Sequence, residues 1–593
     1  MRGIIMTSKK LATILGMAVI AGGLAWGYAN RASANAQQIT ISTTTPIRST
    51  ADHVASGGLY GLYDGNTPNA DLLSPLKPKT FTQSPPDGGQ IPNGEPGPGG
   101  DFLKVAPLAH KVGAKVIVRL PDIYPKWPYN YSNEQDWLNR VTKMVTQVKN
   151  SGNADDVYAF ELWNEPNGTW QGVNGNGHDS GWGDFYQVWR DTYHTVKSIM
   201  PDTKIVGPSL NSWQPNYMKG FLTMARDSNT LPDIVSWHQW GAAAFPKQAA
   251  DFEAMEDSLG IKQRPISINE YGEQQELAVP GQMIHYIQNF ENVPTVDSAD
   301  LAFWYNYGRM DNLLTDKQQQ NGGYWLYKWY GDMSGQMDKT STFASNGTLA
   351  SVANTNKNSG RTSVIFGGVN GDTTVHVTGL SGKSANVTLS ATPWYGVDTA
   401  VKAPTTLGKG TVAIKNGQIS VPVKSMKAAS GYQLVVEPGK SGQQAYRQTA
   451  SQPTDNGIRV EAEDGTLSGN YTAISGSYAS GNMFIGAKDH QVTAGSADFL
   501  TVKVPKAGHY LTTIGYANGG ATATANVSIN GHSQKAAVFE NTTGWMTAVP
   551  NVHGTRQTMQ YGDVSLKKGV NHVKIEALTN SAELDYILFT PIK

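Results

Sequence analysis

The sequence predicts a (β/α)8 barrel followed by an all-β sandwich domain and a second, C-terminal β-sandwich, and three observations carry that expectation. From about residue 50 to 335, short apolar runs alternate with amphipathic stretches of helical length, the pattern of strand and helix units around parallel strands. Beyond about residue 340 the pattern changes to short alternating runs broken by Gly, Asn and Ser. A Gln-, Ser-, Gly- and Thr-rich stretch over 438–456 then separates a last alternating segment from the rest. A chain of 593 residues is also too long for one core, because domains usually hold about 100 to 250 residues.

The elements follow in order. Arg2, Lys9 and Lys10 precede an uncharged, mostly apolar run over 11–28, and Ala34-Asn35-Ala36 offers small residues for cleavage. This predicts a signal peptide over 1–36 and a secreted, extracellular protein with no stable membrane insertion after cleavage, with an uncleaved anchor as the alternative. Eight strand-like runs follow, at 57–62, 76–82, 115–120, 157–162, 204–208, 233–238, 265–269 and 300–305. They define a barrel domain over 50–335 whose site belongs in the loops at the C-terminal strand ends. The Pro- and Gly-rich loop 84–100 is either a shaper of that cleft or a disordered insertion. Runs at 362–366, 373–377, 385–389 and 433–436 give the accessory sandwich over 336–437, then comes the linker 438–456 and a module over 457–593.

Composition narrows the function classes. Lys plus Arg and Asp plus Glu both number 47, so no basic field recruits nucleic acid and no cationic run suits anionic lipid. An exported chain without cysteine has no disulfide framework, which leaves cores and ions to hold its domains. Fifteen Trp and 26 Tyr supply flat apolar faces with hydrogen-bonding handles, which suit sugar rings, although most aromatics are core.

Two carboxylates stand at strand ends. Tyr158-Ala159-Phe160-Glu161-Leu162-Trp163-Asn164-Glu165-Pro166-Asn167 runs from an apolar strand into a polar loop, and Pro265-Ile266-Ser267-Ile268-Asn269-Glu270-Tyr271 ends another strand. A lone glutamate at such a place is usually a solvated surface group. A pair on two strands of one barrel is what hydrolysis of a glycosidic bond asks for, one as proton donor and one as nucleophile. Arg119, closing the third run, either orients a catalytic carboxylate or forms a buried structural ion pair. Asn164 beside the acid suits a hydrogen bond to a sugar 2-hydroxyl.

With those residues in place, the chain over about 50 to 437 resembles the retaining glycoside hydrolases of clan A, and in its Trp-Asn-Glu-Pro-Asn form most resembles family 39 and its relatives. The resemblance implies a TIM barrel, Glu165 as acid/base and Glu270 as nucleophile. It also implies Trp304 as the floor of the minus-one subsite and a His at the sixth strand end, where His238 either contacts substrate or satisfies the polar rim of the barrel. Clan relatives commonly carry Tyr two positions after the His. Here that position is Trp240, which can stack on sugar but cannot donate through a hydroxyl, and Tyr271 is the candidate to compensate. Trp127, Trp170 and Trp182 are further candidates for subsites.

The last segment opens with Ile458-Arg459-Val460-Glu461-Ala462-Glu463-Asp464 and closes with Ala582-Glu583-Leu584-Asp585-Tyr586. These residues resemble carbohydrate-binding modules of families 35 and 6, jelly-rolls in which the early acidic pair and the late Asp hold a structural calcium. The resemblance implies calcium at Glu461, Glu463 and Asp585, and sugar contacts at Tyr516, Asn518 and Trp545. The expectation is thus a secreted retaining glycoside hydrolase acting on a poly- or oligosaccharide, with no cofactor for catalysis. The alternative is a non-catalytic, lectin-like polysaccharide binder on the same scaffold. A metal-dependent hydrolase finds little support, because no His-Glu-x-x-His spacing appears. Sugar, linkage and oligomeric state stay open.

Overall fold

Eight parallel strands close into a barrel: Gly57–Leu59, Thr80–Gln83, Lys115–Arg119, Val157–Glu161, Ile205–Leu210, Ile234–Trp237, Ile266–Tyr271 and Val296–Leu301. The computed structural model describes residues 37–91, 97–170, 179–180, 182–302, 307–310, 312–345, 347–439, 444–450, 457–546 and 554–592. The leader expected over 1–36 lies outside the described residues, and none of the described helices is long and apolar enough to cross a membrane.

The barrel interior is filled with small and polar groups in layers. Hydroxyls of Thr80 and Thr82 donate to buried Asp300 at 2.5 and 2.6 Å, and Ser209–Ser236 and Ser267–Ser298 pair at 2.8 and 2.9 Å. Gly57 is required beside this aspartate, since a Cβ there would stand 1.7 Å from its Oδ1. Outside, the helices bury one stripe each. In Glu134–Asn150, Trp137, Val141, Met144, Val145 and Val148 face the barrel, and the Asn133 side chain caps the first turn by accepting from the Asp136 amide.

Two strand positions differ from expectation. Pro75 starts a single 3-10 turn over Ser74–Leu76, closed by Lys77 in the left-handed region, so the second strand begins only at Thr80. The eighth strand is Val296–Leu301, beginning four residues ahead of the run 300–305 that suggested it. The partly polar Val-Asp-Ser-Ala-Asp-Leu masks a strand whose polar groups bond inside the barrel.

The accessory domain is one ten-stranded sheet curled around its own core of Ile39, Val364, Phe366, Val387, Val421, Leu434 and neighbours. Its third strand is Gln37–Arg48, which precedes the barrel in sequence and pairs parallel with Gly371–Thr378 and antiparallel with Gln336–Phe343. The sequence reading began the first domain at residue 50 and assigned this strand to nothing. The expected linker is also corrected in its described part. Arg447–Gln448 pairs with Gly408–Lys409 at the far edge of the sheet, so 444–450 runs along the domain.

The C-terminal segment forms two mainly antiparallel sheets facing one core, with Tyr510, Ile514 and Ile587 from one sheet meeting Leu500, Val527 and Ile575 from the other. Alternation such as Ala497–Val504, buried at every second position from Asp498 on, is the pattern of a sheet with one wet face.

Candidate active site

The Trp-Asn-Glu-Pro-Asn segment is locked residue by residue. Trp163 is buried among Tyr129, Tyr131, Trp137 and Trp170, with its indole N–H donating to Thr169 Oγ1 at 2.9 Å. Glu165 adopts the left-handed conformation (φ 53°), uncommon for a residue with a Cβ. Its N–H donates to Ser209 O at 2.8 Å, and its carbonyl accepts from Gly168 and Thr169. Pro166 starts the short helix that follows, and Asn167 clamps Asn211 through amide contacts of 2.7 and 3.0 Å. The turn thereby projects the Glu165 side chain back over the barrel mouth, toward the strand that carries Glu270.

Glu270 reaches the mouth through a bulge. Ile268 pairs with Ala299 but Tyr271 with Leu301, so one extra residue enters this strand between them. The bulge presents Glu270 to the cleft and turns Tyr271 outward to the helix layer. There Tyr271 is fully buried against Tyr286 and Phe290, its hydroxyl 2.6 Å from Ala55 O and 2.7 Å from Tyr327 Oη. The expectation that Tyr271 contacts substrate is therefore wrong. Strict strand alternation would have placed it with Ser267 and Asn269 inside the barrel, and nothing in the residues announces the bulge.

The two carboxylates converge. One oxygen of Glu165, one of Glu270 and a ring nitrogen of His238 all lie within 4.8 Å of one another. His238 Nδ1 is 2.9 Å from Glu165 Oε1 and 3.5 Å from Glu270 Oε2. Arg119, almost wholly buried, donates from Nη1 to Glu270 Oε1 at 2.5 Å and from Nε to Glu161 Oε2 at 2.7 Å. Glu161, which ends the fourth strand, had no sequence signal beyond lying two residues before Trp163. The site side chains are recessed, Glu165 and Glu270 keeping only 11 and 12% of their side-chain surface exposed.

Electrostatics separate the pair. Burial pushes Glu165 up to about 7, against weaker opposing effects of Arg119 and the Trp127 indole. Burial also raises Glu270, but His238 and Arg119 oppose it, and only Glu270 accepts a direct guanidinium bond. The proton of the pair therefore belongs on Glu165. Burial lowers His238 against the opposing charge of Glu270, and its Nε2 is buried without a partner among the described residues. The same three donors are a set that can hold a cation. Here the guanidinium on Glu270 and the imidazole on Glu165 already account for their alignment.

The other expected residues divide. Asn164 donates from Nδ2 to Tyr129 Oη at 3.0 Å, leaving a buried Oδ1 with no partner among the described residues. Tyr129 and Tyr60 in turn contact Asp122, Tyr60 donating to it at 2.5 Å, a buried network that sequence reasoning missed. Trp240 sits edge-on to His238 at 5.9 Å and donates its indole N–H to Asn211 O. Trp127 is half exposed beside Glu165. Trp170 is core, with its N–H on Gly183 O, and Trp182 packs on it, so neither is a free subsite platform. Trp304 lies outside the described residues. The described part of the 84–100 loop is tied down, Gln90 Oε1 lying 2.8 Å from Tyr60 Oη and Gln90 O accepting from Tyr307 Oη at 2.9 Å.

In the C-terminal module, Asn518 is fully buried and self-satisfied, donating to Ala521 O and Phe539 O and accepting from Gly520 N. Tyr516 is buried against Phe539. Both expected sugar contacts are thus structural. Trp545 is partly exposed and stacks on His490 (4.6 Å, 13°), whose Nδ1 meets Glu583 at 2.7 Å. Asp585 accepts from Ser480 N at 2.8 Å and from Arg556 Nη1 at 2.6 Å, so both its oxygens are engaged inside the protein. Glu461 and Glu463 each bury one oxygen without a partner among the described residues.

No protein-family model matches the chain. The structure of N2152 from Neocallimastix frontalis is 33% identical, with a TM-score of 0.63, and is covered over its whole length by 68% of this chain. The chain belongs to the family of N2152. Among curated proteins, the 3-O-alpha-D-galactosyl-alpha-L-arabinofuranosidase of Bifidobacterium longum subsp. longum is 28% identical over 556 residues, 81% of this chain and 48% of that protein. The 3-O-beta-L-arabinopyranosyl-alpha-L-arabinofuranosidase of Bifidobacterium pseudocatenulatum is 26% identical over 555 residues, 81% of this chain and 56% of that one. The chain thus spans about half the length of these curated relatives, whose names are those of glycoside hydrolases.

Proposed function

We propose that the chain is a secreted retaining glycoside hydrolase in which Glu270 is the nucleophile and Glu165 the acid/base, acting on alpha-L-arabinofuranosidic linkages of a poly- or oligosaccharide. The observation that carries this reading is the carboxyl pair with oxygens within 4.8 Å, on strand ends of one barrel. Retaining glycosidases hold the pair about 5 to 5.5 Å apart, whereas inverting ones leave about 6.5 to 9.5 Å for a water. In the first step the Glu270 carboxylate bonds to the anomeric carbon, the bond to the leaving oxygen breaks, and that oxygen takes the Glu165 proton. In the second, Glu165 takes a proton from water, whose oxygen displaces Glu270. Arg119 favours the ionised form of Glu270, and Asn164 Oδ1 and His238 Nε2 are buried groups placed to meet sugar hydroxyls. The arabinofuranoside follows from the names of the two Bifidobacterium relatives.

The unpartnered oxygens of Glu461 and Glu463 fit a hard cation such as calcium, which would neutralise two buried carboxylates. The test of the activity is a panel of aryl glycosides and arabinose-bearing polysaccharides, with Glu270→Ala as control. Release of arabinose or an arabinose-terminated fragment by the wild type alone supports the reading, and wild-type inactivity on every arabinofuranoside contradicts its substrate.

A further inference from the structure

The C-terminal module touches both other domains, and the loop 476–482 carries contacts to each. Ser477 Oγ donates to Gln274 O at 2.9 Å in a buried contact, and Gln274 lies four residues after Glu270 on the loop leaving that strand. Val397 N donates to Ser477 O at 3.2 Å, and Gly481 N to Trp394 O at 3.0 Å. Tyr478, between them, is buried in the same apolar cluster as the barrel core, beside Trp394 and Val397. Arg556 bonds Asp585 within the module and Thr399 across the interface, and the Arg459 guanidinium lies between Tyr395 at 4.4 Å and Tyr586 at 3.7 Å.

The accessory segment 393–401 that receives this loop is itself fastened to the barrel. Asp398 accepts from Arg309 Nη2 at 2.6 Å, Val397 O from Asn321 Nδ2 at 3.0 Å, and Val401 N donates to Gln320 O at 2.8 Å. Those partners belong to the loop that follows the eighth strand. Gly396 has φ +94°, and a Cβ there would stand 2.4 Å from Tyr478 O and 3.0 Å from Arg556 Nη1, so with the module seated only glycine fits at this position.

From these contacts we propose that the C-terminal module is a brace of the catalytic unit. Seated through Ser477, Tyr478, Gly481 and Arg556, it holds segment 393–401, and both together fix the loops after Glu270 and after the eighth strand. A module that only carried the enzyme to polysaccharide would leave turnover of a small soluble glycoside untouched. The brace makes that turnover depend on the seating, and in this respect it rests on the proposed glycosidase reading.

The experiment uses full-length protein with Arg556→Ala and, separately, Gly396→Val, neither of which touches the catalytic groups. Peptide-level hydrogen exchange and steady-state kinetics on a small aryl arabinofuranoside are read together. Expected are faster exchange over 272–279, 312–321 and 393–401, unchanged protection of the module strand Gly569–Thr579, and a loss of roughly ten- to a hundredfold, mainly in kcat, of the size that small misplacement of catalytic groups produces. Opening of 393–401 with exchange over 272–279 unchanged, or with activity within about twofold of wild type, overturns the brace. Continued protection of 393–401 in both variants overturns it too, because the named contacts would not be what seats the module. A wild type inactive on all glycosides would instead refute the glycosidase reading, and the exchange data would still judge the brace.

Discussion

Nη1 of Arg119 lies 2.5 Å from Oε1 of Glu270, and the same guanidinium holds Glu161 through Nε at 2.7 Å. Two buried carboxylates from the fourth and seventh strands of the barrel therefore share one cation, and the planar fork of arginine is what lets one side chain serve both.

Replacing Arg119 by lysine keeps a charge but loses the fork. Glu270, raised by burial and restrained by Arg119, should rise further, so a higher pH is needed to ionise it. The acid limb of kcat/KM should move to higher pH and kcat should fall. Arg119→Met should in addition destabilise the fold by about 3 to 5 kcal/mol, the cost of breaking a buried pair. A pH–rate profile and a chemical melt check both, and an unmoved acid limb would count against a role for Arg119 at Glu270.

Glu165, pushed up to about 7, must carry a proton to assist departure of the leaving group. The sign follows directly: activity on a sugar or alkyl leaving group should decline as pH rises through about 7, where that proton is lost. Glu165→Gln should lower turnover of such substrates by about 10²- to 10⁴-fold, the usual share of general acid–base catalysis. Aryl glycosides with good leaving groups need little protonation, so their glycosylation step, read as a burst, should survive far better.

Tyr271 offers a contrast in the adjacent position. Its buried hydroxyl, bonded to Ala55 O and Tyr327, ties strand to helix layer, so Tyr271→Phe should cost about 1 kcal/mol of stability, the net worth of a typical hydrogen bond, with KM unchanged. A rise in KM with stability intact would return Tyr271 to the site. Thermal melts and kinetics of the same preparation decide it.

How far the residues revealed this arrangement can be traced position by position. Six of the eight strand runs and the strand-end place of both glutamates were legible, because periodicity and strand-end chemistry are local properties of sequence, and contact with a catalytic carboxylate was one of two readings of Arg119. The bulge before Tyr271 was not, since it is a register decision made by the neighbouring strand around Ala299 and Leu301. Asn518 and Tyr516 were expected to meet sugar only through the resemblance to carbohydrate-binding modules, while the fold uses Asn518 to satisfy backbone groups. The strand Gln37–Arg48 escaped notice because its partners lie about 300 residues away. Glu161 and the Asp122 network became visible only when strands 115–119 and 157–161 were laid side by side.

A cation at Glu461 and Glu463 should raise the melting temperature of the full chain. Unpaired buried carboxylates cost stability, and occupancy by calcium adds RT ln(1 + [L]/Kd), or about 2.7 kcal/mol at a hundredfold excess over Kd. Calorimetry with calcium and with chelator checks this, and Glu463→Gln should lose the difference. Identical melts in both conditions would remove calcium from the account.

The central claim is that Glu270 attacks the anomeric carbon directly while Glu165 supplies the proton, and proton NMR of the first products of a soluble aryl arabinofuranoside tests it most directly. Before mutarotation, the anomeric signal of the released sugar should carry the configuration of the substrate, because two displacements at one carbon restore it. Net inversion in those first spectra would contradict the account.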